Sequence, residues 1–588
     1  MPHGVRRPLP ILLSFLALAL LCFAAVVPGL FLIFEDSEIW GITSSRRLID
    51  NPFTGSSAHF KPLFSALFGS IVAFAQTDWS ALIASRWLAI AFGAGGLFSM
   101  YALGIVFTSQ DKNDHSIIGQ KAIFTVLFLG IICTSPILLL HYSKARSDVI
   151  STNTVLIAGL LLMLLDHRTV HLRGLIYVLG STCALLITPK SIDLTAALGL
   201  LFLATERERK FNHYGGQPVK TSFLVQSLWF IGPAAALLTI GLIISREFII
   251  HSIVYWIESY GEESFFSHAN WVGVLNTVSA SPVATGLIMV GLTVGALRFR
   301  SLAPKEKGLV LAGLLVLAFI LIHSQKYLFF LSSRLPFLAL GALPGLHIVS
   351  SSIAQSFGNR VWITTVGFIL IFVTSAGFSI QRVSRHQDFF ISTQKTVYFE
   401  LSRFLDATDT NRYWDAIGLF PKRNALFHYP SPGDQTNERI LEYVEHHKPT
   451  VVLRTGKMNL LEPGLMMWFN KHYIPRTDSV RVRRADLIRT EGCMYPSSLL
   501  TQIATSENLT PPLALFKKDT NDSTWVRASF HTTAGYDTAE FDPQQSKNAD
   551  FILSDCQDTR LQLALTEAKP WAFVPPEFSV FFKYNSFF

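Results

Sequence analysis

The chain has 588 residues, half of them hydrophobic and only 15% charged, with a mean hydropathy of +0.37. That balance excludes an ordinary water-soluble globule, because so apolar a surface has to face lipid. The formal charge of +8 comes from basic residues scattered through short connections between apolar runs. It therefore reads as a topology signal and not as a nucleic-acid-binding face.

In chain order, the first element is the charge-free stretch between Arg7 and Glu35. It is long enough to cross about 30 Å of hydrocarbon as a helix. Many apolar runs follow it, so it reads as a retained span and not as a cleaved signal. Further runs with little or no charge lie at 87–110, 122–143, 149–165, 174–189, 194–205, 221–245, 264–297, 308–325, 335–359 and 361–381, giving eleven spans. The two halves of 174–205 are short, separated only by Lys190 and Asp193, and also fit one deep hairpin. Residues 62–76 are uncharged too, but as a helix they rise only about 22 Å, which suits a segment lying in the membrane interface.

With the N-terminus inside, Arg6, Arg7, Lys121, Arg173, Arg207 and Arg298 fall among the cytoplasmic connections, which carry more basic residues than the opposite ones. An odd number of spans then puts everything after about residue 382 outside. The expectation is two domains: 1–381 in the membrane, with a catalytic first outer loop at 34–80, and 382–588 as a soluble α/β domain. In that tail Asn437–His447 has helical apolar spacing, Pro449 breaks it, and Thr450–Leu453 reads as a buried strand. Arg481, Arg483 and Arg484 read as a solvated strand face. Cys493 and Cys556 would share an oxidising compartment and are candidates for a disulfide; no cysteine pair has zinc-ligand spacing.

Polar residues next to the apolar runs gather on the outer side of this topology. Glu35, Asp36 and Glu38 follow the first span, and three carboxylates at a membrane boundary repel one another unless a proton or cation intervenes. Oxygen ligands suit magnesium or manganese, so the same trio is a candidate divalent-ion site. The bland alternative is a solvated loop. His59, Phe60, Lys61 and Pro62 stand before the interfacial segment, where a lysine either meets a lipid phosphate or simply snorkels. His141 to Asp148 set Lys144, Arg146 and Asp148 between two apolar runs, an expensive place for charge. Thr188 to Lys190 and His323 to Tyr327 are two more such places.

The order of these features resembles the C-type glycosyltransferases (GT-C), in particular the branch with protein O-mannosyltransferases and the transferase that adds aminoarabinose to lipid A. Glu35 and Asp36 resemble that family's acidic pair, in reversed order; Phe60-Lys61-Pro62 resembles its second element. Arg86 is similar to an arginine at the start of the second span, and Ala145-Arg146-Ser147-Asp148 to an Ala-Arg-Thr-Asp motif. Lys190 after Thr188 is similar to Thr-Lys-Gly, with Pro189 inserted and Ser191 in place of the glycine, while Lys326 and Tyr327 are adjacent here and spaced in the family.

The resemblance implies a polytopic α-helical GT-C-like fold and an inverting transfer from a polyprenyl-phosphate sugar to a lipid, glycan or protein acceptor. It implies Asp36 or Glu35 as base, Lys61, Arg146 and Lys190 on the donor phosphate, and Glu38, His59, Arg86, Asp148, Lys326 and Tyr327 at the substrates. It implies no required cofactor. Membrane lipids and no nucleic acid are the expected partners, and the general character of the chain suggests a bacterial inner membrane with the C-terminal domain in the periplasm, an endoplasmic reticulum location being the alternative. The competing readings are a transporter or lipid flippase, which would favour inverted repeats and midplane charges, and a membrane anchor presenting the tail as a binding module.

Overall fold

The computed structural model describes 36–50, 61–108, 115–165, 169–213, 278–323, 328–357 and 361–384, short pieces within 22–34 and 229–275, and, beyond 390, eight strands with a few neighbouring positions. Two compact units divide the chain: one holds 1–32 and 44–387, the other 33–43 and 388–587.

The first unit is helical. Helix α1 (Asp36–Asp50) begins in the second unit and ends in the first. Then follow α2 (Pro62–Phe74), α3 (Asp78–Thr108), α4 (His115–Cys133), α5 (Pro136–His141), α6 (Ser147–Leu164), α7 (Val170–Ile187) and α8 (Ile192–His213). After these come α9 (Pro282–Leu297), α10 (Pro304–Ile322), α11 (Leu328–Ser356) and α12 (Val361–Ser384). Among the described residues four helices are long and apolar enough to cross a membrane: Asp78–Phe107, Ser147–Leu164, Val170–Ile187 and Phe330–Ser356. Exposed side chains such as Leu179, Met289, Leu370 and Val373 continue the apolar character onto the outside, as an integral membrane protein requires.

Two sequence expectations change in detail. The run 122–143 is two helices, because Pro136 cannot continue α4 and biases Ser135 toward extended backbone; Ser135 then caps α5 by accepting from the Leu138 amide. The run 174–205 is a hairpin of two full helices, α7 and α8, joined by the tight turn Thr188–Ser191. The uncharged stretch at 62 is a helix, α2, that packs on α3 and α7. Most of 221–245 lies outside the described residues.

Packing follows residue size. Helices α9 and α10 approach α11 backbone to backbone, so that a Cβ at Gly345 would lie 1.9 Å from the Gly291 carbonyl oxygen and one at Gly341 would lie 2.7 Å from Cα of Gly313. Without a hydrophobic drive between helices in lipid, such close approach supplies the dispersion contact that holds them together. Pro336 and Pro344 sit inside α11, tolerated in its buried setting.

The second unit carries two sheets. One has strand order β1-β2-β4-β3, with β1 (Tyr413–Asp415) parallel to β2 (Val451–Leu453) and the other pairs antiparallel. The expected strand ending at Leu453 is thus β2. Strand β4 (Val480–Arg483), with Arg481 and Arg483 at alternate positions, pairs on both sides, with β2 and with β3 (Tyr473–Pro475). The other sheet is antiparallel and holds β5 (Cys493–Pro496), β6 (Leu515–Lys518), β7 (Trp525–Ser529) and β8 (Phe551–Ser554), in the order β5-β8-β6-β7. Within this unit Asp415 accepts from the amides of Gly418 and Leu419, and the hydroxyl of Thr43 donates to the Gly418 carbonyl. Gly418 has φ 67°, a left-handed turn that suits glycine. Cys556 and most of Asn437–His447 lie outside the described residues.

Candidate functional site

Lys61, Arg146, Asp148 and Lys190 come from three stretches of sequence and meet in the first unit. Each reaches the site because a helix starts or stops there. Lys61 is the residue before α2, with Pro62 at the first helical position, where its fixed φ is already helical. Arg146 is the extended residue before α6, and Asp148 lies in that helix's first turn, where the helix dipole favours a carboxylate. Lys190 sits in the turn between α7 and α8, which is closed by Ser191 N–H to Thr188 O at 3.1 Å and Ser191 Oγ to Thr188 O at 2.8 Å.

Asp148 lies within electrostatic reach of Lys61, Arg146, Lys190 and Arg334. Its carboxylate is 3.9 Å from the Arg146 guanidinium, and both side chains are buried. Lys61 feels three neighbours: Asp148 favours its charge, whereas Lys190 and Arg146 oppose it. Loss of surrounding water is the largest influence, and together these lower its pKa to about 8. Three of these cations, Lys61, Arg146 and Lys190, form with Asp148 a cradle for an anion, such as a phosphate, because a ligand of that sign relieves the repulsion among them.

Two residues that the sequence reading left out hold the turn that carries Lys190. Arg334 is fully buried on α11, and its Nε and Nη2 both bond Asp193 at 3.0 Å in a two-pronged ion pair. Nη2 also donates to the backbone carbonyl of Lys190, and Nη1 to Ser333 Oγ at 2.7 Å. The guanidinium stacks 3.8 Å over the Phe330 ring, which also lies 4.4 Å from the buried His323 ring. Opposite charges in two apolar helices, at the edges of runs expected to span, were the available signal.

The other expected residues are placed as follows. Arg86 is fully buried on α3 and donates from Nη1 to the Gly29 carbonyl at 3.0 Å. Glu38 is buried on α1 in the second unit, beside Ile39 and Ile42. Asp36 is the first residue of α1. Glu35, His59, Lys326 and Tyr327 lie outside the described residues. Among the described residues no three His, Cys, Asp or Glu side chains converge as metal ligands.

No family model matches this chain, and no curated protein does. Among solved structures it is similar to ArnT from Cupriavidus metallidurans in the apo state, at 11% identity and a TM-score of 0.49, over 81% of this chain and 97% of that one. The same protein bound to undecaprenyl phosphate gives 12% identity and 0.46, over 81% and 98%. The Archaeoglobus fulgidus oligosaccharyltransferase, in complex with Zn and sulfate, gives 12% and 0.43, over 78% and 71%.

Proposed function

We propose that this chain is an integral membrane glycosyltransferase that moves a sugar from a polyprenyl-phosphate carrier to a lipid, glycan or protein acceptor on the outer face of a bacterial inner membrane. The convergence of Lys61, Arg146 and Lys190 around Asp148, at helix ends bordering apolar spans, is the observation that carries this reading.

In the proposed reaction a nucleophilic oxygen or nitrogen of the acceptor attacks the anomeric carbon. The bond from that carbon to the phosphate oxygen breaks, and polyprenyl phosphate leaves with the electron pair. Asp36 or Glu35 takes the acceptor's proton, a role that contributes roughly 100- to 10,000-fold. Negative charge grows on the phosphate as the bond breaks, so Lys61, Arg146 and Lys190 stabilise the transition state more than the bound donor. Attack opposite the leaving group inverts the anomeric centre.

The test is release of polyprenyl phosphate from a panel of labelled lipid-linked sugars by the purified protein. Sugar-dependent release that is lost when Glu35→Gln and Asp36→Asn are combined, with membrane insertion intact, supports the reading. Movement of the intact lipid between leaflets without release would replace it with a flippase.

A further inference from the structure

The catalytic cations need something to hold them, and Lys190 stands on a turn of only four residues, Thr188–Ser191. A lysine stem there has four rotatable bonds, so a fixed backbone is one condition for placing its ammonium. We propose that Arg334 is a positioning residue for Lys190, acting with Asp193 as a clamp that fixes the α7–α8 turn. This deepens the glycosyl-transfer reading above and rests on it for the consequence in turnover.

The geometry is specific. One guanidinium grips the Lys190 carbonyl and, through two separate nitrogens, the carboxylate of Asp193 three residues further on, so it ties the turn to the first turn of the helix that follows. Arg334 and the carboxylate of Asp193 are fully buried, so the pair is little weakened by solvent and salt. The arginine is in turn held in place by Ser333 and by the Phe330 ring. Arg334 stands on α11, whereas Lys61, Arg146 and Lys190 stand at the ends of other helices. A planar five-donor group is required for this set of bonds. An ammonium keeps the charge beside Asp193 but lacks the fork that spans carbonyl and carboxylate together.

Two measurements on the purified full chain in nanodiscs test the clamp. In the first, Lys190 is labelled with acetic anhydride and read by mass spectrometry, without substrate. Arg334→Lys and Asp193→Asn should both change the Lys190 labelling rate severalfold while leaving that of Lys307, a lysine remote from the clamp, as in the wild type. Unchanged Lys190 labelling in both variants overturns the proposal.

In the second, turnover with lipid-linked sugar is compared in a double-mutant cycle. Arg334→Lys should lower kcat by roughly 10- to 100-fold in the wild type, the scale of a misplaced group. It should cost almost nothing further in a Lys190→Ala background, because the residue it positions is gone. Losses that multiply in full would show a general structural role and overturn the proposal. A wild type with no turnover on any donor would instead sink the glycosyl-transfer reading, and the labelling result would still decide the clamp.

Discussion

The α7–α8 hairpin carries buried charge at both of its ends, and the two ends are built differently. At the turn, the described residues bring Lys61, Arg146, Lys190 and Arg334 around Asp148 and Asp193, so cations outnumber carboxylates. At the open end, Arg173 pairs with Glu206 and also donates to Thr205 Oγ1 at 2.6 Å, while Lys305 of α10 lies 3.3 Å from Glu208. These two pairs each match one cation with one carboxylate. The ends are separated by the length of α7, whose 18 residues rise about 27 Å, close to the thickness of bilayer hydrocarbon. Both clusters are thus where charge is tolerated, at the borders of the apolar layer. The ion pairs at the open end tie α7, α8 and α10 together, whereas a set rich in one sign gains when an anion arrives.

Breaking the matched end should give the largest effect, and it should fall on stability. Glu206→Ala leaves the Arg173 guanidinium buried without its counter-charge, so unfolding free energy should drop by roughly 3–5 kcal/mol. Chemical denaturation in detergent would measure this, and turnover per folded molecule should stay unchanged. Lys61→Ala, at the cation-rich end, should do the reverse: turnover falls about 100-fold or more, with stability held or improved. Full activity in that variant would remove Lys61 from the site.

The lowered pKa of Lys61 sharpens the contrast further. The side chain is charged below about pH 8 and neutral above it, so donor binding should weaken as pH rises through that value. The fall should approach tenfold per unit, and Lys61→Arg should flatten it. The smallest effect is expected for Lys305→Met, since Glu208 is partly exposed. Its cost in stability should be below that of Glu206→Ala, about 1–3 kcal/mol, read from the same denaturation curves.

Several members of the candidate site could be picked out as candidates in the sequence because lipid makes charge conspicuous. Lys61, Arg146, Asp148 and Lys190 stand out against apolar runs, and their order resembles a known family's motifs. Their convergence was not legible, since nothing in the spacing of residues 61, 146 and 190 says that three helix ends share one corner. Arg334 and Asp193 show the same limit. Arg334 stands just before the run 335–359 and Asp193 between the short halves of 174–205, and only folding reveals a two-pronged pair 141 positions apart in the chain. The break at Ser135 is a local matter that Pro136 does signal, yet the unbroken absence of charge over 122–143 hides it.

Composition and hydropathy alone determined that this protein lives in a bilayer as a bundle of helices, because an apolar chain must bury its backbone polar groups within each segment when water is absent. Which helix ends meet, and therefore which charges balance and which are left to attract a ligand, was decided by tertiary packing. Close helix contact depends on side-chain shape and on glycines such as Gly291 and Gly345 lying opposite one another, a relation between distant residues that no local pattern encodes.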